Sequence, residues 1–443
     1  MPNGFCMTKK PSNNENSGRK ACPVARECGA CQHVGEPYSE QLARKDERVA
    51  ELYAEVASPE ALRPILGMDE PFHYRNKVMS PYAPGRVLPG GSARAGRETA
   101  RSYGKDGRPL GRGSRNARDA RGGRGTAARR EILCGMYAAH SHRIIPTDGC
   151  LIENEQAQRI IRAIRGLMPK FGLEPYDEDA GRGFIRHAVV RVGHTSGEVL
   201  VTIVTNGRDF PGSKAFCREL VRRCPGITTI VQNVNERKTN VVLGQKEQTL
   251  YGPGFILDGL CGLSFRISSQ SFYQVNAVQT EVLYRTAIEL AGFTGRELAI
   301  DAYCGTGTIG LVAAKSGAAQ VTGVDTVASA IRDARQNARH NGVENARFEV
   351  ADAGAFMRAA AETGERADVL LMDPPRAGAS EEFLAAAVAL APVRIVYISC
   401  NPVTQVRDLA FLRARGYQAR TVQPVDMFPH TDHIEAIAQI DRM

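Results

Sequence analysis

Asp301-Ala302-Tyr303-Cys304-Gly305-Thr306-Gly307-Thr308-Ile309-Gly310 is the stretch on which the fold turns. Leu298 to Tyr303 reads as a buried strand, and Ile309 to Ala314 opens a helix. The glycines between them fit GxGxxG, a turn that lets backbone approach a ligand closely. Working outward, Gln320 to Val324 reads as the next strand and Ala328 to His340 as the next helix. Arg347 to Val350, Val369 to Met372 and Val393 to Ile398 supply further strands. Repeated strand–helix units from about residue 271 predict an α/β fold with a doubly wound, Rossmann-like sheet. Asp325 ends the second strand, where a carboxylate can bind ribose hydroxyls. Up to this point a dinucleotide enzyme and an S-adenosylmethionine enzyme fit equally.

The fourth strand separates them. Leu371-Met372-Asp373-Pro374-Pro375-Arg376 puts a carboxylate and a rigid Pro-Pro turn at the sheet's carboxyl edge. Dinucleotide dehydrogenases have no use for such a turn. Methyltransferases that act on planar nitrogens or bases lay it against the flat substrate. Here Arg376 takes the place of the usual aromatic, so a charged group faces the substrate. The next strand ends in Ile398-Ser399-Cys400-Asn401-Pro402. A lone cysteine there is more often a small apolar residue than a nucleophile. Its position at a carboxyl edge is nevertheless where open α/β sheets present catalytic groups.

The upstream chain has a different character. At 443 residues, 43% apolar and 24% charged, it is long enough for two or three domains with their own cores. No apolar run reaches membrane-spanning length, and residues 1–20 read as a polar, disordered tail without a signal-peptide core. The expected setting is therefore cytoplasmic. The net charge of +9 is local: residues 84–130, rich in Gly and Arg, carry +10, and the remainder sums to −1. That insertion is expected to be a disordered, swollen hairpin loop between strands ending near Ser80 and starting near Glu131. A nucleic-acid tether and a tolerated insertion describe it equally well.

Eleven cysteines without a secretion signal argue for metal or catalytic use rather than disulfides. Cys22-x5-Cys28-x2-Cys31 can converge on one centre. The turn residue Cys150 is preferred as the fourth thiol over Cys134, whose apolar neighbours suit a strand. Spacing leaves iron–sulfur and zinc both open, with iron–sulfur favoured because only one CxxC is present. Ser39 to Ala57 reads as an amphipathic helix with Ser39 as N-cap. Phe72-His73-Tyr74-Arg75-Asn76-Lys77-Val78 mixes aromatics and cations in a pattern that suits RNA. Residues 151–270 read as an α+β module: helix Gln156 to Met168, and strands Ala188 to Val192, Glu198 to Val204, Thr228 to Val234 and Val241 to Gly244. Gly183 to His187 and Gln232 to Asn235 are polar strand ends, equally suited to structure or to substrate. The expected division is a tail (1–20), an iron–sulfur region with its basic insertion (21–150), a central RNA-binding module (151–270) and a C-terminal methyltransferase domain (271–443).

Five motifs together resemble the RNA (uracil-5-)-methyltransferase family. They are Ser271-Phe272-Tyr273-Gln274-Val275-Asn276, Tyr303-Cys304-Gly305-Thr306-Gly307, Asp373-Pro374-Pro375-Arg376, Ser399-Cys400-Asn401-Pro402 and Asp426-Met427-Phe428-Pro429-His430-Thr431-Asp432-His433-Ile434-Glu435. Cys22, Cys28, Cys31 and distant Cys150 are similar to the family's RumA-like 23S ribosomal RNA branch. The resemblance implies a [4Fe–4S] cluster on these four, S-adenosyl-L-methionine as methyl donor, and carbon 5 of a uridine in 23S ribosomal RNA as target. It assigns Cys400 as the nucleophile and Glu435 as the general base. Gln274 and Tyr303 would contact the cofactor, with Gly305 in its loop, Asp325 at its ribose, and Asp373 beside the sulfonium and target base.

Two departures stand out. Many members begin with a small β-barrel RNA-binding domain, whereas only about 20 residues precede the cysteines. Asp325 stands where the family commonly has Glu. The expected partner is RNA, with no membrane and no DNA, and the expected state is monomeric. The competing readings are the same chemistry on transfer RNA, an oxidoreductase, and a catalytically silent RNA-binding assembly factor. Cys400 and Glu435 together argue against the last two.

Overall fold

The structure is a computed structural model that describes residues 21–88, 130–138 and 141–443. The expected tail, and all but the ends of the basic insertion, lie outside the described residues. The chain enters with α1 (Ala25–Cys28), turned by Gly29 at φ 66, and α2 (Tyr38–Tyr53). The latter starts behind Pro37 and takes no side-chain cap, so Ser39 is not its N-cap. Its buried stripe is Gln41, Lys45, Val49 and Tyr53, spaced one turn apart and polar in its first half.

A first seven-stranded sheet follows. Its strands are β1 (Lys77–Val87), β2 (Arg130–Tyr137), β3 (Ile144–Pro146), β4 (Ile185–Val192), β5 (Val199–Thr205), β6 (Ile227–Val234) and β7 (Lys246–Tyr251). The order across it is β3-β2-β1-β4-β5-β6-β7. Helices α3 (Glu155–Leu167), capped by Asn154, and α4 (Ser213–Arg223) cover its apolar face. β1 pairs with β2 from Tyr82↔Cys134 to Val87↔Arg130. The first strand of the expected hairpin thus runs seven residues past Ser80. Pro81 and Pro84 are tolerated because the strand changes partner, and then register, where they occur.

Val241 to Gly244 is not a strand; the strand there is β7. The carbonyls of Val241, Val242 and Gly244 are instead taken by the side-chain amides of Asn235 and Asn233. Most of the polar groups at the other strand ends are bound in the same way, although buried His187 Nδ1 has no partner among the described residues. Buried Arg186 forks onto Glu178 and donates to the Asn235 and Arg237 carbonyls, and Gln232 serves Thr205, Gly207 and Arg208. These residues hold loops.

The hairpin β8 (Phe255–Leu260)–β9 (Leu263–Ser268) links the first sheet to the second. Its buried side chains share one core with Leu200 and Val231 of the first sheet and with Leu283, Ile309 and Ile331 of the second layer. Then come α5 (Ala277–Ala291), β10 (Leu298–Ala302), α6 (Thr308–Lys315), β11 (Gln320–Asp325), α7 (Ala328–His340), β12 (Ala346–Val350) and α8 (Ala353–Thr363). β13 (Val369–Met372), α9 (Glu381–Leu390), β14 (Arg394–Ser399), α10 (Pro402–Arg413), β15 (Tyr417–Val425) and β16 (Glu435–Arg442) complete the chain.

This second sheet has the order β12-β11-β10-β13-β14-β16-β15. Strands β10 to β14 are parallel, and β16 runs antiparallel to both β14 and β15. The chain moves outward from β10 to β12 and then returns to β13 on the other side. The topological switch point, where such sheets bind ligands, therefore lies between β10 and β13. Val49, Tyr53 and Val56 bury against Tyr397, Leu409 and Tyr417. Leu62 and Leu66 bridge to Val422 and Val425 on the outer strand. Residues 38–66 are thus built onto the second sheet although they lie far from it in sequence.

Candidate active site

The sheet's carboxyl edge collects the motif residues strand by strand. Asp325 ends β11, and Tyr303 to Gly305 follow β10. Asp373 follows β13, Cys400 follows β14, and Glu435 begins β16. Adjacent strands are about 4.8 Å apart, so these positions form one continuous row.

The glycine turn is locally forced. Tyr303, a non-glycine residue, has φ 63, and its half-buried ring leans on Phe383 with centroids 5.0 Å apart. Such left-handed conformations concentrate at functional sites. Gly305 has φ 55, and a Cβ there would meet nothing within 4 Å, so the backbone faces open space. A Cβ on Gly310 would instead stand 2.7 Å from Asp301 Oδ2. That oxygen accepts from the Gly310 N–H at 2.8 Å and fixes the start of α6. Asp325 accepts from the Gly305 and Val327 amides at 3.0 and 2.8 Å and so holds the same turn from the neighbouring strand.

Two turns frame the other end. The Asn401 side chain accepts from Val403 N–H as the cap of α10 and donates to the Arg376 carbonyl at 3.0 Å. Thr404 donates to the same carbonyl, and Arg407 to those of Ala377 and Ala379. The Asp373–Arg376 turn is thereby tied to the Cys400 turn. In the antiparallel pair Ser399 faces Ala436, so Cys400 lies opposite Glu435 one step on.

The electrostatics of this end are unusual. Burial, followed by the charges of Glu435 and Asp373, pushes the Cys400 thiol up, while Arg376 pulls it down. Glu435 is buried, and burial with Asp373 beside it raises its carboxyl to about 8. Burial raises Asp373 to about 7. Among the described residues, neither Glu435 nor Asp373 has a side-chain hydrogen bond, and half-buried Gln274 has none either. The site therefore concentrates proton-holding groups beside a thiol, with their hydrogen-bonding capacity unused by the fold.

Cys22, Cys28, Cys31 and Cys150 lie together elsewhere. Burial pushes Cys31 up to about 12, with further contributions from Cys150, Cys28 and Cys22. Cys150 is raised to about 11 by burial, and among its neighbours are Glu153 and Cys22. Cys134 lies in the core of the first sheet, beside Tyr82 and Arg165. Among the described residues, no group of three or more His, Cys, Asp or Glu side chains closes around a single metal ion.

Several site residues gave no periodic signal in the sequence. Asn276 is fully buried, caps α5, and donates to the Met427 carbonyl at 3.0 Å. Gln279 donates to the Asp426 carbonyl, and Tyr38 and Lys45 bind the Asp426 carboxylate. In the Phe72–Val78 stretch, whose mixture of aromatics and cations suits RNA or an ordinary amphipathic strand, Tyr74 is buried and Phe72 half-buried. Phe72 stacks on His430 with centroids 4.8 Å apart, and the Tyr74 hydroxyl donates to the Pro429 carbonyl.

A Rossmann-like sheet with a glycine turn, a switch point between β10 and β13 and a Pro-Pro turn at its edge is the architecture of a methyltransferase. Residues 296–405 match the family model described as a methyltransferase domain. The chain belongs to the RNA methyltransferase family. It is 39% identical over 422 residues to an uncharacterised RNA methyltransferase of Halalkalibacterium halodurans, covering 95% of this chain and 82% of the relative. An uncharacterised RNA methyltransferase of Listeria monocytogenes is 40% identical over 419 residues, covering 94% and 82%. Among solved structures, the Pyrococcus abyssi tRNA (uracil-54, C5)-methyltransferase in complex with S-adenosyl-L-homocysteine superposes with a TM-score of 0.68. It is 24% identical and covers 95% of this chain and 87% of its own, which shows a shared fold. Among the described residues, no helix is long and apolar enough to cross a membrane.

Proposed function

We propose that the protein methylates carbon 5 of a uridine in 23S ribosomal RNA, with S-adenosyl-L-methionine as donor and Cys400 and Glu435 as the catalytic pair. The observation that carries this reading is the facing of Cys400 and Glu435 across β14 and β16, with Asp373 beside both. The donor supplies an electrophilic methyl group. Gly305 gives it an open backbone surface, and the side chains of Gln274 and Tyr303 are assigned to contact it. Asp325 binds ribose hydroxyls with lone pairs that remain after its two backbone bonds.

Carbon 5 of uracil is a poor nucleophile until carbon 6 carries a substituent. The Cys400 thiolate adds to carbon 6, and the ring electrons move to carbon 5 and the adjacent carbonyl. Carbon 5 takes the methyl group and then holds both methyl and hydrogen. Glu435 removes that proton, the 5,6 double bond re-forms, and the thiolate leaves. A base must be ionised to act. A carboxyl raised to about 8 holds a proton more readily than an ordinary one, which suits it to receive the carbon 5 proton. Arg376 favours the thiolate form of Cys400. The uridine must leave its stack to reach the thiol, at a cost of roughly a few kcal/mol, which favours a looped RNA.

Cys22, Cys28, Cys31 and Cys150 would hold the iron–sulfur cluster. Their chemistry fits it: Cys31 feels the charges of Cys150, Cys28 and Cys22, and Cys28 and Cys150 feel that of Cys22, a repulsion that binding to cationic iron relieves. A cluster binds each thiolate to a different iron, so its ligands need not close around one ion. Methyl transfer moves no net electrons to the protein, and the cluster is assigned a structural and RNA-binding part. The four-thiol set is also what favours ribosomal over transfer RNA.

The test is to incubate the protein with labelled S-adenosyl-L-methionine and unmodified 23S ribosomal or transfer RNA, and then map the label. The expected product is 5-methyluridine at one 23S position, absent with Cys400→Ala. Label in transfer RNA alone would move the substrate to that class, and 5-methyluridine in neither would remove the proposal.

A further inference from the structure

The 426–434 connection joins β15 to Glu435 at the start of β16, and one side chain from the far end of the chain grips both of its ends. Lys45 Nζ on α2 donates to Asp426 Oδ1 at 2.7 Å and to the His433 carbonyl at 2.9 Å. Asp426 is the first residue of the connection, and His433 lies two residues before Glu435. The ion pair is fully inside the protein, with the side chains 5% and 0% exposed. The second carboxylate oxygen accepts from Tyr38 at 2.7 Å.

The middle of the connection is held by the same N-terminal region. His430 has φ 70, a conformation that costs a non-glycine residue energy unless its surroundings fix it. Its N–H donates to Gln41 Oε1 at 3.1 Å, and its ring lies on Phe72. Asp432 meets His33 at 2.6 Å, two residues beyond Cys31.

A buried ion pair of this kind is a poor device for stability alone, since apolar side chains of similar volume often do as well or better. It is a good device for fixing a geometry. Lys45 makes no hydrogen bond or ion pair with Glu435; its contacts are with Asp426 and the His433 carbonyl, so it acts on Glu435 through the connection it holds.

We propose that Lys45 is a positioning residue for the release step: it locks both ends of the 426–434 connection and so holds the Glu435 carboxylate where it can take the carbon 5 proton. This rests on Glu435 being the base. Attack by Cys400 and methyl transfer depend on β14 and the glycine turn, which Lys45 does not touch. Elimination depends on Glu435, which it holds. Loss of Lys45 should therefore separate the two steps, whereas a general support of the fold would weaken both together.

The experiment uses the full chain and the RNA found to accept label. Lys45→Met is compared with Lys45→Met/Asp426→Asn, which removes the carboxylate left unpaired in the single variant and guards against a folding defect. Both are run beside Glu435→Gln. The expected result is near-normal methyl transfer in the first turnover and release slowed between about tenfold and about a hundredfold. Covalent protein–RNA adduct should accumulate, and amide exchange should speed up over residues 430–436. Normal release and unchanged exchange in the folded double variant overturn the proposal, as does an equal loss in both steps. If Glu435→Gln turns over normally with no adduct, the base assignment fails instead. Exchange over 430–436 then still decides the clamp: faster keeps Lys45 as a lock on the connection, and unchanged removes it.

Discussion

Burial raises the carboxyls of Glu435 and Asp373 above the ordinary range, and this has a consequence for stability. For Glu435 the folded-state value of about 8 lies above the ordinary 4.5, so the folded protein binds more protons than the unfolded chain across that window. Stability is therefore lost as pH rises from about 4.5 to about 8. Glu435→Gln should raise the melting temperature at about pH 8 by several degrees and change it little at about pH 5, while abolishing release. Equal shifts at both pH values, read by calorimetry, would show that the carboxyl is not held protonated. The residues proposed as nucleophile and base stand in contiguous motifs, which is why the sequence could single them out; that they face each other across β14 and β16 needed the fold. Their acidity was legible only in direction for Glu435, from its apolar neighbours. The second cause, Asp373 on another strand, needed the fold.

The five parallel strands of the second sheet were legible to within a residue or so, and helix 328–340 and strand 369–372 lie where periodicity places them, whereas the antiparallel β15 and β16 were not read. Parallel strands buried on both faces read as unbroken apolar runs between turn signals. Helix α2 lies where its amphipathic pattern places it, but half of its buried stripe is polar. Gln41 and Lys45 look like solvated positions, and their burial follows from partners nearly 400 residues away. Val241 to Gly244 shows the same limit, because an apolar run became a segment bound by asparagine side chains.

Helix α10 carries a device that no pattern announces. Asp408, 1% exposed, accepts from Tyr397 Oη at 2.7 Å and from Ala379 N–H at 2.9 Å, joining β14 to the turn after Arg376. Asp408→Ala leaves two buried donors without a partner and should cost roughly 2–5 kcal/mol in urea unfolding. A loss below about 0.5 kcal/mol would mean that the turn is held without it.

At the scale of the molecule, chain order and spatial order diverge. The N-terminal 38–66 segment packs on the second sheet, the four thiols lie close to that segment, and the first sheet shares its core with the second through the β8–β9 hairpin. Sequence division at residue 150 could not show this, because the contacts are long-range and the segment's own periodicity is ordinary. The four-thiol assignment makes a compositional prediction. Protein purified without oxygen should carry about four iron and four sulfide per chain. Cys31→Ser should lose both and Cys134→Ser should keep them, with iron content read by elemental assay. Iron in Cys31→Ser at the normal level would refute the ligand set.

The central claim is a covalent bond between Cys400 and the uridine that Glu435 later undoes. The direct measurement is mass spectrometry of the Cys400 peptide from Glu435→Gln after incubation with unmodified 23S ribosomal RNA and S-adenosyl-L-methionine, followed by nuclease and protease digestion. The account predicts that peptide with a methylated uridine nucleotide attached through Cys400. An unmodified Cys400 peptide alongside free methylated RNA would contradict it.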